Sequence, residues 1–286
     1  MPKTGLVCDS TCDLGPEYLA AHGVALVPLK VSFGEDSYRD WVDMPPDVFY
    51  DRLASFRGLP KTSQPSPAEF AEAYRRLAEE EGCDRIVVVM LSAQLSGTFE
   101  SATLAASSAP VPIDVVDSMS ASQATGLVLK TAIEARDAGL SADEIVDRTR
   151  KAAGETRLYF LLESLEYLVR GGRAGRAQAL AASLLNIKPV LRISEDGVVE
   201  PYRKVKGTHK AIEAMAERVA EESKAHRMRV TVLHSCRPDL VDLMKAALVD
   251  AGVDCEVESV GLVGAVIGTY AGRGAVGVAY QPAPEG

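Results

Sequence analysis

The chain has 286 residues, 47% hydrophobic and 25% charged, with a formal net charge of -9 at pH 7. That size and apolar content support a sizeable core and set an expectation of two domains. The acidic balance, with both signs interspersed, argues against nucleic acid as the main partner, because gripping phosphate needs a basic face.

Met1-Pro2-Lys3-Thr4 leads straight into Gly5-Leu6-Val7-Cys8, without the longer apolar core and small-residue cleavage site of a secretory signal. The best candidate for a membrane span, residues 262–280, is glycine-rich and interrupted by Arg273, so a soluble cytoplasmic protein is expected. Cys8, Cys12, Cys83, Cys236 and Cys255 form no CxxC and no paired zinc spacing, and read as reduced, mostly buried thiols. Cys8 and Cys12 flank Asp9-Ser10-Thr11 and read as core or loop thiols rather than a redox pair.

Short β-branched runs at 6–8, 24–31, 85–91 and 113–116 read as strands, and 45–55, 67–80, 97–107 and 120–138 carry apolar residues at helical spacing. Such alternation predicts βαβ units on a largely parallel sheet. Ser66-Pro67-Ala68-Glu69 is a helix start with Ser66 as N-cap and Glu69 as its capping-box partner, and Ser141-Ala142-Asp143-Glu144 repeats that logic. Three strands run into polar turns at Asp9-Ser10-Thr11, Ser92 to Thr98 and Asp117-Ser118. In open α/β sheets ligands sit beyond the carboxyl ends of strands, so these turns should line one functional edge.

A domain boundary is expected near 153–155, giving domains 1–155 and 156–286. After it, 158–162 reads as a strand, 164–169 as a short helix, 171–176 as a basic glycine-rich loop and 177–185 as a small-residue helix. Residues 188–193 and 198–204 form a hairpin around Glu195-Asp196-Gly197, followed by a helix at 208–224, a strand at 229–234, a helix at 238–251 and strands at 255–260 and 274–280. The fold class is therefore α/β, with a mostly parallel sheet in the first domain and a mixed α/β sandwich in the second.

The most informative residues are Thr62-Ser63-Gln64-Pro65-Ser66-Pro67 and Leu95-Ser96-Gly97-Thr98. Each puts hydroxyls before what reads as a helix entrance, where free N–H groups and the helix dipole favour an anion. No His or carboxylate base stands at motif spacing, so the pattern argues for holding a negatively charged head group rather than attacking it. Asp9-Ser10-Thr11 reads either as a strand-ending turn or as a wall of the site. Arg173 and Arg176 read either as solvated charges or as a close-approach loop for a phosphate or an acidic partner.

His22, His209, His226 and His234 show no metal-ligand spacing. Ser96 lacks the glycine two residues before it that a nucleophile elbow requires. No G-x-G-x-x-G follows the first strand, which disfavours a dinucleotide site. A transferase or hydrolase using Asp9, Ser96 and Arg173 on a small phosphorylated or acyl substrate is the enzymatic alternative. A regulatory protein docking through 170–176 is the third.

Five motifs in order resemble the DegV family of bacterial fatty-acid-binding proteins: Asp9-Ser10-Thr11-Cys12-Asp13-Leu14, Thr62-Ser63-Gln64-Pro65-Ser66, Leu91 to Thr98, Tyr167 to Arg173, and Leu185-Asn186-Ile187-Lys188-Pro189-Val190-Leu191. The resemblance spans nearly the whole chain. It implies two α/β domains and a buried long-chain fatty acid as ligand, with no cofactor and no catalysis. The carboxylate would be held by Thr62 and Ser96, with Ser63, Gly97, Thr98, Asp9, Ser10 and Tyr270 around it. It also implies presentation of the acid to a separate fatty acid kinase subunit for phospholipid synthesis, with Arg173, Lys206 and Arg203 near the head group or the docking surface. The family's HxGPG segment reads here as Tyr270-Ala271-Gly272-Arg273-Gly274, replacing an imidazole by a phenol that donates a hydrogen bond but does not become a cation at neutral pH.

Overall fold

The computed structural model describes residues 3–180 and 188–284. In chain order, β1 (Thr4–Asp9), α1 (Pro16–Ala21) and β2 (Val24–Val27) come first, followed by β3 (Lys30–Phe33), β4 (Asp36–Arg39), α2 (Pro46–Ser55) and β5 (Lys61–Ser63). Next are α3 (Pro67–Arg75), which runs into a π-helical turn, β6 (Arg85–Met90), α4 (Thr98–Ala106), β7 (Ile113–Asp117), α5 (Gln123–Asp137) and α6 (Ala142–Glu155). The remainder comprises β8 (Arg157–Leu161), α7 (Glu166–Arg170), β9 (Lys188–Ile193), β10 (Val199–Val205), α8 (Thr208–Ser223), β11 (Met228–His234), α9 (Pro238–Asp250), β12 (Cys255–Leu262), α10 (Ala265–Ala271) and β13 (Val276–Pro282).

Strands β2-β1-β6-β7 form an all-parallel sheet, and β10-β9-β8-β13-β11-β12 a mixed sheet in which β11 and β12 run parallel and the other neighbours antiparallel. The α/β class with one parallel and one mixed sheet is as the sequence predicts. Both sheets are covered on two faces, so their inner strands are continuously apolar rather than alternating, as in Ile86 to Met90. Helix α5 lies between the sheets: Gln123 to Leu129 are all buried, which a helix facing water on one side does not show. Arg229 of β11 ties it in place, its guanidinium forked on Glu134 at 2.8 and 2.7 Å and bound to Glu258 at 2.6 Å.

Some expectations are revised. The single strand at 24–31 is two strands in different sheets, because Pro28 has no N–H to continue the first ladder. A third sheet, β4-β3-β5, arises from strands of three or four residues, too short for a period-two signal. Helix α10 was hidden within the glycine-rich 262–280, which contains no helix long and apolar enough to cross a membrane. Where a helix is expected at 177–185, a 3₁₀ segment covers Gly175–Leu180. Residues 181–185, and Leu185, Asn186 and Ile187 of the fifth motif, lie outside the described residues.

The three polar turns meet at the carboxyl edge of the parallel sheet. Asp9 accepts from the Leu91 N–H at 2.9 Å, and Asp117 accepts from that of Ala93 at 3.1 Å. Asp13, in left-handed backbone at φ 55°, accepts from Trp41 Nε1 at 3.1 Å, Gly264 N at 3.0 Å and Ser122 Oγ at 2.6 Å. Asp40 accepts from the Ala265 and Val266 N–H groups at 2.9 and 3.3 Å, where α10 begins. Burial pushes the Asp9 and Asp13 carboxyls above their ordinary range, the neighbouring Asp40 charge adding to the effect on Asp13, and burial lifts Asp40 to about 7.

For Asp40, a folded-state value above the unfolded one means that the folded protein holds the proton longer. Its contribution to stability is full below about pH 4 and is lost as pH rises to about 7. Asp40→Asn keeps an acceptor for both N–H groups and never ionises. Urea unfolding should show the variant gaining on the wild type between about pH 4 and about pH 8. A constant difference across that window would remove Asp40 from the pH response.

Candidate functional site

Beyond the carboxyl ends of β2, β6 and β7 a cavity opens against one face of the six-stranded sheet. Leu29, Leu91 and Ala121 come from the first, and Leu158, Phe160, Ile193, Val199, Leu233 and Val276 from the second. Helix α10 closes the side with Val266, Ile267, Tyr270 and Ala271. The space between the walls is about 840 Å³ with the open solvent at its mouth included. The lining is aliphatic except for Phe160 and five polar side chains: Thr62, Ser96, Ser122, Arg173 and Tyr270.

Ser122 is committed, its hydroxyl donating to buried Asp13. The other four converge. Thr62, the middle residue of β5, places Oγ1 2.5 Å from the Tyr270 hydroxyl of α10. The Arg173 guanidinium stacks 5.2 Å from the centre of the Tyr270 ring, with Nε donating to the Leu95 carbonyl at 3.2 Å and Nη1 to that of Gly171 at 3.1 Å. Leu95 and Ser96 belong to one turn, so the same guanidinium touches the ring and the loop that carries the serine. Ser96 Oγ lies 2.9 Å from Thr98 Oγ1 and accepts from the Thr98 N–H at 3.3 Å. Among the described residues Ser96 has no imidazole or carboxylate partner, so nothing there withdraws its proton.

Close approaches fix this geometry. A Cβ on Gly171 would fall 2.4 Å from the Tyr270 ring and 2.9 Å from the Tyr167 carbonyl, so the first glycine of the Gly-Gly-Arg motif makes room for the phenol. Gly97 sits against Gln64, which reaches across to donate to Ser101 Oγ at 3.2 Å, docking the two hydroxyl-bearing segments on each other. Of the three arginines near the loop, Arg170 pairs with Glu166, and Arg176 with Asp196 and Glu200. Arg173 has no acidic partner among the described residues, and it is the one at the mouth.

The structure brings together Thr62, Ser96, Tyr270 and Arg173. Thr62 is not at a helix entrance as its motif suggested: it lies on a strand, and the N-cap of α3 is Ser66 with its Glu69 capping box. Ser96 does stand one residue before the Gly97 N-cap of α4. Ser63, Gly97 and Thr98 are not in the cavity wall, and the last two shape the Ser96 turn. Asp9 and Ser10 do not line it either. Asp9 is fully buried and accepts from Thr11 and Leu91, while Ser10 Oγ accepts from the Leu29 N–H at 3.1 Å, so both hold backbone rather than ligand. Arg203 pairs with Glu217 of α8, and Lys206 is exposed just past β10, neither lining the cavity. The apolar wall from α10 escaped the sequence reading, although Tyr270 within it was singled out.

Residues 3–283 match the family model described as "Uncharacterised protein, DegV family". A DegV domain-containing protein of Streptomyces coelicolor is 39% identical over 273 residues, 96% of each chain. A fatty acid-binding protein of Thermotoga maritima is 33% identical, covering 98% of both chains. The solved structure of a fatty-acid-binding DegV family protein from Thermus thermophilus superposes with a TM-score of 0.91 at 33% identity, covering 98% of this chain and all of that one. With the family model matched almost end to end and the α/β architecture shared, this chain belongs to the DegV family.

Proposed function

We propose that the protein binds a long-chain fatty acid without transforming it, with the carboxylate at the Thr62, Ser96, Tyr270 and Arg173 mouth and the acyl chain in the apolar cavity. In this reading the exposed head group is then offered to a separate kinase subunit, which transfers a phosphoryl group from ATP to a carboxylate oxygen. The observation that carries the reading is the pairing of an aliphatic cavity with a mouth holding three hydroxyls and an arginine that has no acidic partner among the described residues. The fatty-acid-binding relatives support it. The transferase or hydrolase alternative would need a base beside Ser96, and the hydrogen-bond partners of that hydroxyl are the side chain and amide of Thr98.

Magnitudes divide the labour. At roughly 0.8 kcal/mol per buried methylene, fourteen of them contribute on the order of 11 kcal/mol before the costs of association. A charge-assisted hydrogen bond adds about 1.5–3 kcal/mol. The tail therefore supplies affinity and the mouth fixes which end lies outermost. Since Arg173 is exposed, a carboxylate beside it is within reach of a second protein.

Mass spectrometry of lipid extracted from the purified protein should find an acyl chain, and delipidated protein should take up palmitate or oleate. Failure of both removes the carrier function. Thr62→Val and Ser96→Ala should each weaken palmitate binding by about tenfold to about a hundredfold with the fold intact. Unchanged affinity in both would take the hydroxyls out of the site. Gly171→Ala should act like Tyr270→Phe, because displacing the ring breaks the same bond to Thr62, and full affinity in Gly171→Ala would show the ring to be dispensable. Adding ATP and a fatty acid kinase subunit to the palmitate-loaded protein should yield acyl phosphate. No acyl phosphate above the level with free palmitate would remove the presentation step.

A further inference from the structure

A second hollow adjoins the first at Ile193. Its walls are mixed, apolar at Met119, Ala153 and Ile193 and polar at Arg157, Arg192 and Glu195 among others, enclosing about 760 Å³ with the open mouth included. Among the described residues Ile193 is the one side chain that lines both this cleft and the apolar cavity. Chain neighbours divide around it: Val199, its partner across the β9–β10 hairpin, faces the cavity, and Ser194, the next residue, faces the cleft.

The turn between β7 and α5 divides the same way, with Met119 and Ser120 on the cleft and Ala121 and Ser122 on the cavity. Met119 and Ser122 hold positive φ angles of 53° and 55°, conformations that are costly for L-residues and persist only where the surroundings enforce them. Here they are enforced. Asp117 Oδ1 accepts from Met119 N at 2.7 Å, the Ser120 carbonyl accepts from Ser92 N at 2.7 Å, and Ser122 Oγ is fixed on Asp13. Ile193 has no such bonds in its side chain, only packing, and is 8% exposed. One half of the wall is pinned; the other is a single aliphatic side chain.

We propose that Ile193 is the specificity-determining residue of the acyl cavity, the partition that ends it short of the arginine-bearing cleft and so restricts the ligand to monocarboxylic acids with an apolar far end. This rests on the fatty acid reading above. An acid carrying a second carboxylate at its far end would have to bury that charge against aliphatic residues, which is strongly disfavoured without a partner. The groups that would partner it stand on the other side of Ile193. Arg157 donates to the Gly154 and Thr156 carbonyls at 2.6 and 3.1 Å and is 3.9 Å from Glu195, whereas Arg192 is engaged by Glu200. Arg157, with the weaker acidic contact, is the cation a far carboxylate would meet.

The experiment compares hexadecanoic, docosanoic and hexadecanedioic acids on delipidated protein, by calorimetry, for the wild type, Ile193→Ala and Ile193→Ala with Arg157→Gln. The wild type should bind the diacid at least about tenfold more weakly than hexadecanoic acid, and Ile193→Ala should narrow that gap by at least about tenfold while gaining affinity for docosanoic acid. Adding Arg157→Gln should cancel the gain for the diacid and leave that for docosanoic acid. Unchanged ratios in Ile193→Ala overturn the partition, and a diacid gain that survives Arg157→Gln overturns the role given to the cleft. If Ile193→Ala does not fold, Ile193→Val should move the ratios the same way by less, and an unmoved Ile193→Val overturns the proposal. A wild type that binds none of the three acids overturns the carrier function, and this inference with it.

Discussion

Asp13 is the constraint on which the cavity depends. One buried carboxylate, held at φ 55°, gathers Trp41 from the end of the small sheet, Ser122 from the turn before α5 and Gly264 from the turn before α10. Its own carbonyl accepts from Gln123 Nε2 at 2.5 Å. Two of those segments are walls of the cavity, and the third anchors the sheet that carries Thr62. Burying a carboxylate is costly unless its oxygens are satisfied, and a site that satisfies them rigidly is also one that permits little slack. The distance between Thr62 on β5 and Tyr270 on α10 is set through this node, together with Asp40, which takes the first N–H groups of α10. A seven-residue helix would be marginal alone; here its start is fixed by two carboxylates and its apolar face by the cavity wall and the small sheet.

The placement of polarity follows from that anchoring. Everything strongly polar near the cavity is either spent internally, as in Asp9, Asp13 and Ser122, or concentrated at one end, as in Thr62, Ser96, Tyr270 and Arg173. Away from that end the described walls offer apolar side chains and the committed Ser122, and apolar cavities of this kind tend to stay dry until an apolar ligand fills them. Such an interior would suit an apolar ligand. The mouth would suit an acid, because it is where unspent donors remain.

How much of this was legible in the sequence differs from part to part. The parallel sheet was readable because its strands are continuous β-branched runs separated by helices long enough to show a period, and the caps at Ser66 and Ser141 were readable from spacing alone. Thr62 was singled out with the wrong local geometry. A three-residue strand carries no periodic signal, and the hydroxyls of Ser63 and Ser66 around it suggested a helix entrance that begins four residues later. Helix α10 was lost because Gly264, Gly268 and Gly272 punctuate it, and its helicity is imposed by Asp13 and Asp40 from more than two hundred residues away. Arg203 and Lys206 follow the same lesson: nearness to a motif in sequence does not place a side chain at the mouth. Ile193 has no sequence signature at all, since what sets it apart is that two hollows meet at it.

The hydrogen inventory at the mouth shows what a phenol can offer a carboxylate there. Thr62 and Tyr270 share one hydrogen between their oxygens, and two hydroxyls own two, so one remains to point outward. Ser96 and Thr98 form a second such pair with the same surplus. Arg173 commits Nε and Nη1 to carbonyls, while Nη2 has no protein partner among the described residues. A carboxylate, which only accepts, would meet one hydrogen from each hydroxyl pair and a cationic N–H there, without any group having to lose or gain a proton. An imidazole in place of Tyr270 would add charge to that set. With Arg173 stacked on the ring, the phenol instead contributes a hydrogen bond and a negative π-face that holds the guanidinium at the mouth.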